Sequence, residues 1–276
     1  MRLLAFIKSQ CEEAPSVKAI KRAIDCKRCT VNRRIETFSS FVLSEGDLVV
    51  LSADAFAEEE KKSIPILYED EDLLVCNKPP GVISDASALR PFFPKWTNQW
   101  ALVHRLDKET SGALLIAKKS VAKERLLKAF KERTVHKAYL ALVDGIVKKE
   151  SGKIDNHLGK IGSYQGQTIY GQVEPGKGQR AITSWKCMQR GKNVSLIWCE
   201  PLTGRTHQLR VHLSAMGHPI LGDVQYGKRF RSSLHPPRNL LHAYQIRFPH
   251  PTTGKEIKVT APIPADFKVY LGGVVN

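Results

Sequence analysis

No stretch of this chain approaches the ~20 consecutive apolar residues of a membrane-spanning helix. A helical membrane protein is therefore excluded, although apolar residues form 42% of the 276 and can fill a sizeable core. The opening Met1–Ile7 is too short for a signal-peptide core and meets Lys8 without a small-residue cleavage site, so the expected location is the cytoplasm. Cysteines are few: six, scattered, which points to reduced thiols rather than a disulfide scaffold. Cys26 and Cys29 have zinc-ligand spacing, but no second pair and no nearby histidine follows, so no metal is expected and both read as small apolar residues. Acidic residues are also short, 27 against 43 basic ones, for a net charge of +16. That balance favours a polyanionic partner, nucleic acid ahead of any membrane surface.

The positive charge is not spread evenly. Seven basic residues and one acidic one, Asp25, fall between positions 18 and 34. Ser16 suits a helix N-cap; Val17, Ile20 and Ile24 then share one helical face, and Lys18, Lys21 and Arg22 take another. Lys27, Arg28, Arg33 and Arg34 follow in and around a turn. Val42-Leu43 and Leu48–Leu51 read as strands about a Glu45-Gly46-Asp47 turn. A basic helix beside a short sheet suits the gripping of phosphates. A merely solvated helix face is the plainer reading, but seven to one is lopsided for it. The expected organisation is a first domain over 1–55, a linker over 56–64 carrying the charge run Glu58-Glu59-Glu60-Lys61-Lys62, and a larger domain over 65–276.

The larger domain is organised around His104-Arg105-Leu106-Asp107-Lys108-Glu109-Thr110-Ser111-Gly112. Strand-like runs lead in, Trp100–Val103, and out, Ala113–Ala117. A polar loop between rigid apolar strands is a common seat for an active-site carboxylate. Asp107 is that candidate, with a cation on each side; a capping or turn aspartate is the competing reading. Ahead of it, Ile66–Val75 reads as strand, acidic turn, strand, stopped by Asn77-Lys78-Pro79-Pro80-Gly81, where Lys78 is expected to reach a phosphate. Between Val82 and Gln99 the chain is irregular, and Phe92, Phe93 and Trp96 either stack on bases or pack as a loop.

Behind the loop, Ser120 is expected to cap a helix running to about Arg133, with Val121, Leu127 and, more loosely, Leu126 and Phe130 inward. Lys137–Gly145 reads as a strand ending in a turn, with Tyr139 a half-buried core tyrosine. Residues 150–180, rich in Gly and Gln, read as loops and short hairpins; Ala181–Trp185 and Val194–Cys199 read as strands. A second chemical stretch is Pro201–Gly217. Thr206 suits an N-cap, Leu209, Leu213 and Met216 follow at helical spacing, and Gly217 ends the helix. Arg205 then lies at the helix mouth and Arg210 on its flank. His207 and His212 point ~140° apart on such a helix, which makes them poor co-ligands for a metal, so hydrogen-bonding roles are expected.

Residues 2–51 resemble the small RNA-binding domain first seen in ribosomal protein S-four. The resemblance rests on Leu3, Phe6-Ile7, Ser16, Ile20–Ile24, Thr30-Val31-Asn32 and Leu43-x-x-Gly46-Asp47-x-Val49. Lys27 and Arg33 stand where such domains usually carry glycine, so turns of different shape and added positive charge are expected. The chain from about 66 to 270 resembles the RluA-type family of RNA pseudouridine synthases. The motifs are Asn77-Lys78-Pro79-x-Gly81, His104-Arg105-Leu106-Asp107-x-x-Thr110-Ser111-Gly112, Lys137-x-Tyr139-x-Ala141, Gly204–His212 with Gly217-His218-Pro219-Ile220-x-Gly222-Asp223, then Leu241-His242-Ala243 and Ala261-Pro262-Ile263-Pro264-x-x-Phe267. One motif alone is weak evidence; the ordered series is specific. The segment after Gly81 is short for the family and lacks its Val-His step at Ile83-Ser84, in a loop that faces RNA in such enzymes.

The resemblance implies an α+β fold: a mixed, mostly antiparallel central sheet flanked by helices and loops, plus the small N-terminal α/β RNA-binding domain. It implies a uridine within RNA whose glycosidic bond is cut, whose base turns while held, and whose carbon 5 is rejoined to the ribose, without cofactor or metal. Asp107 matches the catalytic carboxylate; attack on the base, attack on the sugar and abstraction of a sugar proton all stay open to it. Arg210 matches its partner, whose positive charge keeps a carboxylate ionised. Tyr139 matches the residue that packs against the uracil and is a candidate acceptor of the carbon-5 proton. The uridine must be flipped out, and Arg105 matches the residue that fills the space it leaves. His104, Lys78, Arg205 and His207, with Lys18, Lys21, Arg22, Lys27 and Arg28 of the first domain, are the expected RNA contacts. Large-subunit ribosomal RNA is the favoured substrate and transfer RNA the alternative; a monomer is the default. Two rivals stand against this. His-Arg-x-Asp also resembles a protein-kinase catalytic loop, but the glycine-rich loop, the Asp-Phe-Gly and the following Asn are missing. A non-catalytic RNA chaperone or assembly factor comes second, because Asp107, Tyr139 and Arg210 are all as the family has them.

Overall fold

The computed structural model describes residues 1–11, 16–53, 55–56, 63–164, 167–227 and 230–271. The chain divides into two compact units, Met1–Lys62 with Ser163–Gln167, and Ser63–Gly162 with Thr168–Asn276. Most of the expected linker, including Glu58–Lys62, lies outside the described residues.

In the first unit, helices α1 (Leu3–Gln10) and α2 (Val17–Asp25) precede strands β1 (Cys29–Val31), β2 (Arg34–Ile35) and β3 (Val49–Leu51). The strands form an antiparallel sheet in the order β2-β1-β3. Leu3, Ile7, Ile20, Ile24, Cys29, Val31 and Leu43 make its core. The Ser16 hydroxyl accepts from the Ala19 N–H at 3.1 Å and caps α2 as its sequence predicts. Val17 does not face inward; it is exposed. Ala23 is buried with Ile20 and Ile24, and this swings the centre of the apolar stripe away from Val17. The end of α2 is a left-handed turn without glycine. Lys27 takes φ 62°. Its N–H donates to the Ile24 carbonyl and that of Arg28 to Ala23, which is the bond pattern a glycine ordinarily allows at a helix end. Asn32 and Arg33, at φ 52° and 66°, form the two-residue turn between β1 and β2. Both turns are left-handed without glycine, and Lys27, Asn32 and Arg33 bear the strain.

The second unit is built on a sheet that has eleven strands among the described residues. In chain order these are β4 (Ile66–Glu69), β5 (Leu73–Lys78), β6 (Ala101–Leu102), β7 (Ser111–Ala117), β8 (His136–Asp144), β9 (Ser151–Tyr164), β10 (Gln167–Val173), β11 (Gln179–Arg190), β12 (Val194–Pro201), β13 (Leu241–Pro249) and β14 (Glu256–Thr260). The order across the sheet is β10-β9-β11-β12-β8-β13-β7-β5-β4, with β14 on β13 and β6 on β7. Among the described registers the pairs are antiparallel except β7 with β13, so the sheet is mixed and mostly antiparallel as expected. Period two splits β5 between two cores. Leu74 and Cys76 join Leu114, Ile116, Ala141 and Leu209 on one face; Leu73 and Val75 join Leu115, Leu126 and Phe248 on the other. A strand covered on both faces needs the unbroken apolar run found at Leu73–Cys76. Leu114→Ala would cost about 2–5 kcal/mol.

Two expectations fail here and an open alternative is decided. Residues 150–180 are mostly two long strands, β9 and β10. Their apolar residues are sparse, and glycine stands where a neighbour is large: a Cβ on Gly152 would lie 2.8 Å from the Trp185 ring. The ladder to β11 stabilises β9, and β10 pairs with β9 in turn, so alternation is weak in their sequence. Helix α4 (Ser120–Lys131), after α3 (Ala86–Leu89), buries Ala122, Leu126 and Ala129 while Val121 and Leu127 are exposed. Two small alanines set its inner face, and Ser120 is its first residue rather than its cap. The aromatics after Gly81 resolve as packing: Phe93, Trp96 and Trp100 form a buried cluster with ring centroids 5.3–6.3 Å apart.

Candidate active site

The segment His104–Thr110 enters from β6 and leaves into β7, and the rest of the unit holds its backbone in place. Four consecutive carbonyls are occupied. Leu106 O accepts from the Ser84 hydroxyl at 2.9 Å, and Ser84 in turn accepts from the Leu106 N–H. Asp107 O accepts from the Thr110 N–H at 3.1 Å. Lys108 O accepts from the Gly81 N–H and the Lys78 ammonium. Glu109 O accepts from the Arg238 guanidinium at 3.2 Å. Gly112, at φ 112°, closes the loop: a Cβ there would run into the backbone of Ala243 on parallel-paired β13. Backbone held from Leu106 to Glu109 leaves the Asp107 carboxylate, about a quarter exposed, facing a cavity.

That cavity is lined by Arg105, Asp107, Lys137, Tyr139, Arg205 and His207, with Arg210 and Leu241 deeper in. Helix α5 (Gln208–Ala215) begins two residues after the expected Thr206 cap, and its N-cap is His207 in the left-handed region, φ 56°. Gln208 fixes this unusual entry with four hydrogen bonds: its carbonyl accepts from Thr203 Oγ1 and the Arg205 N–H, and its amide donates to Ile182 O and Thr183 Oγ1. Arg210, one turn in, is buried. It donates to both oxygens of buried Asp223 at 2.7 and 2.9 Å and to Gln225 at 2.9 Å. Its third nitrogen points at Asp107, 3.7 Å away. The face of its guanidinium lies over the Tyr226 ring, 4.9 Å from the centroid. The Tyr226 hydroxyl meets His207 Nδ1 at 2.8 Å. Burial and the Arg210 charge hold the His207 imidazole below its ordinary pKa. Arg210 is therefore fixed from behind by Asp223 and presents one N–H edge to Asp107. Burial, with a smaller contribution from the Asp107 charge, pushes the Tyr139 phenol well above its ordinary pKa, so it stays protonated at neutral pH.

The structure separates the predicted contacts. Arg105 and Arg205 are exposed at the cavity, and Arg205 also donates to the Arg180 carbonyl. Lys18, Lys21 and Arg22 lie exposed on α2, with Lys27 and Arg28 half-buried at its end. Two predictions need correcting. Lys78 has no exposed surface, and its ammonium is spent on the carbonyls of Pro79, Val82 and Lys108. It staples the turn to the Asp107 loop and does not reach a phosphate. His104 accepts the Leu115 N–H on Nε2 and stacks on Phe130, 5.2 Å between centroids. Burial holds its pKa down to about 3, so it is a neutral brace rather than an RNA contact. His212 has the expected hydrogen-bonding role, buried between Thr183 and Asn156. Sequence reasoning missed Asp223, Gln225, Tyr226, Ser84 and Arg238. Gly222-Asp223 stood in a family motif, but nothing local marks Asp223 as the anchor of Arg210 thirteen residues earlier.

A family model described as RNA pseudouridylate synthase matches residues 72–215. The chain is 40% identical over 222 residues to the "Ribosomal large subunit pseudouridine synthase C" of Pasteurella multocida, covering 76% of this chain and 67% of that one. It is 32% identical to the protein of the same name from Vibrio parahaemolyticus, over 99% of this chain and 92% of that one. Among solved structures, human RNA pseudouridylate synthase domain containing 1 superposes with a TM-score of 0.62 at 33% identity, covering 74% of this chain and 85% of that one. Human RNA pseudouridylate synthase domain containing 4 superposes with a TM-score of 0.63 at 25% identity, over 75% and 92%. The matched segment spans the Asp107 loop, Tyr139 and Arg210, the same residues that the fold gathers around one cavity; the chain belongs to the RNA pseudouridylate synthases, in their RluA-type family.

Proposed function

We propose that the chain isomerises particular uridines of large-subunit ribosomal RNA to pseudouridine, with Asp107 as the catalytic carboxylate. One observation carries this: a carboxylate on a loop held at four successive carbonyls, 3.7 Å from an arginine that is itself fixed by a buried aspartate. Rigid placement of a charged group where charge develops is the main resource of such a site. The reaction breaks the bond from ribose carbon 1 to N1 of the base and makes one to carbon 5. The carbon-5 proton leaves and N1 gains one, so substrate and product are isomers. Asp107 acts on the nucleoside, Arg210 orients it from 3.7 Å away, and Tyr139 packs against the base. A protonated phenol donates or stacks; it does not take the carbon-5 proton in this state. Arg105, exposed beside the cavity, fills the space of the flipped uridine, and Arg205 and His207 contact the strand.

The names of the relatives support ribosomal RNA over transfer RNA. The first unit, with its exposed basic helix, is read as an S-four-like RNA-binding domain, and the working protein as a cytoplasmic monomer. Among the described residues no helix is long and apolar enough to cross a membrane. The test is genetic and direct. The gene is deleted in its host, pseudouridines are mapped across ribosomal and transfer RNA by carbodiimide-based primer extension, and wild type or Asp107→Asn is returned. A large-subunit site that disappears and returns only with wild type supports the proposal. Loss at a transfer-RNA site moves the substrate, and restoration by Asp107→Asn removes Asp107 from the chemistry.

A further inference from the structure

Buried cations in the second unit come with partners. Arg210 has Asp223, Arg238 has Asp266, and Lys78 has three carbonyls. Lys137 is different. It sits on β8 two residues before Tyr139, so both side chains leave the same face of the strand, and both line the cavity with Asp107. Its ammonium rests 5.9 Å from the centre of the Phe130 ring and beside Gly204, 3.6 Å from where a Cβ would stand. Neither neighbour is an anion. The adjacent His104 is neutral and its Nε2 is already taken by the Leu115 N–H. Among the described residues Lys137 has no hydrogen-bond acceptor and no carboxylate.

An ammonium half removed from water without an acceptor is costly, and burial lowers its pKa accordingly. The missing partner therefore arrives with the substrate. Uracil and ribose are neutral; the anions that RNA brings to such a cavity are its phosphodiesters. We propose that Lys137 binds a phosphodiester oxygen of the RNA strand next to the flipped uridine, and so sets the register in which Tyr139 and Asp107 meet the nucleoside. This rests on the reading of the cavity as a pseudouridine synthase site. It adds a contact to the sugar-phosphate chain rather than to the base.

The test uses an unmodified large-subunit ribosomal RNA transcript carrying uridine tritiated at carbon 5. Tritium release reports turnover, and filter binding at a series of salt concentrations reports affinity, the latter in an Asp107→Asn background where no turnover intervenes. Lys137→Met is expected to lower kcat/KM about ten- to hundredfold, mainly through KM. It should also reduce the slope of log affinity against log salt by about one, the signature of one lost phosphate contact. Lys137→Arg should restore the slope and most of the turnover. A slope in Lys137→Met equal to that of the parent overturns the assignment, whatever happens to kcat. If the Met variant does not fold, Lys137→Gln is read in the same way; failure of both to fold makes the residue structural and also overturns it. Wild type that releases no tritium ends the synthase reading, while the salt slopes still decide Lys137 on their own.

Discussion

Lys78 and Lys21 are the same residue used in opposite ways. Lys21 stands exposed on α2 among other cations of the first unit. Lys78 has no exposed surface and hands its three donors to backbone carbonyls in the second unit. An exposed lysine keeps its hydration and contributes long-range field; a buried one becomes a structural clasp whose charge is neutralised by dipoles. Charge counted along a sequence cannot distinguish the two. The difference is set by what surrounds each: a polar helical face for Lys21, and the end of a doubly covered strand followed by Pro79-Pro80 for Lys78. The first unit places its cations where a polyanion can reach them. The second spends its buried Lys78 and Arg238 on holding one loop and its buried Asp223 on holding one arginine.

The sharpest way to break this comparison is at Asp107. If the second unit's buried network exists to hold that carboxylate, Asp107→Asn should cost about three orders of magnitude or more in tritium release and leave RNA affinity within about threefold of wild type. A parallel loss of affinity would mean that the loop serves binding instead. Next in size is Asp223→Ala. It leaves the Arg210 guanidinium buried without its bidentate partner, which should cost about 3–5 kcal/mol in urea unfolding, with turnover down at least tenfold. Wild-type stability in that variant would show that the Asp223 pair is not what fixes Arg210.

How much of this was legible follows the same division. The strands β5, β7 and β8 announce themselves because burial on both faces demands unbroken apolar runs. The cap at Ser16 reads directly because its hydroxyl acts three residues away. Asp107, Tyr139 and Arg210 were found as parts of ordered motifs, although spacing alone left Asp107 open to a turn role. Strands β9 and β10 were missed because their ladder, not their side chains, stabilises them. The inner face of α4 was read only at Leu126 and Phe130, because alanine carries little hydrophobic signal, yet Ala122 and Ala129 set its orientation. Lys78 and His104 read as outward because their chemistry suits RNA; only the fold shows the Lys78 ammonium and the His104 Nε2 already engaged. Asp223, Ser84 and Arg238 act across 13, 22 and 129 residues respectively. No local pattern records contacts of that range.

A smaller effect sharpens the picture of the second unit. His104, His212 and His242 are held neutral by burial, with pKa values pulled down to about 3, 4 and 4. The unfolded chain binds these protons at about pH 6.5 and the folded chain does not until pH has fallen to those values. The unfolded state therefore carries more protons throughout that window, and stability is lost as pH falls from about 6.5 toward 4. Each histidine contributes at most about 1.4 kcal/mol per pH unit. Urea midpoints measured between pH 7 and 4.5 should fall steadily, and His212→Gln should flatten the decline relative to its own value at pH 7. A flat wild-type profile would place these rings in water.

The smallest effect tests the first unit. Lys18 and Lys21 are exposed, and their replacement by glutamine removes neither packing nor a cap, so the melting temperature should stay where it is. What changes is the field. If α2 faces the phosphates of the substrate, Lys18→Gln with Lys21→Gln should weaken RNA binding severalfold at low salt and lower the salt slope by up to about two. The loss should shrink as salt rises, because both charges are screened over about 10 Å at 0.1 M. Turnover at saturating RNA should not change, since neither lysine lines the cavity. A change in kcat with an unchanged salt slope would mean that these cations act on the second unit rather than on RNA, and the contrast between displayed and buried charge would then fail at its exposed end.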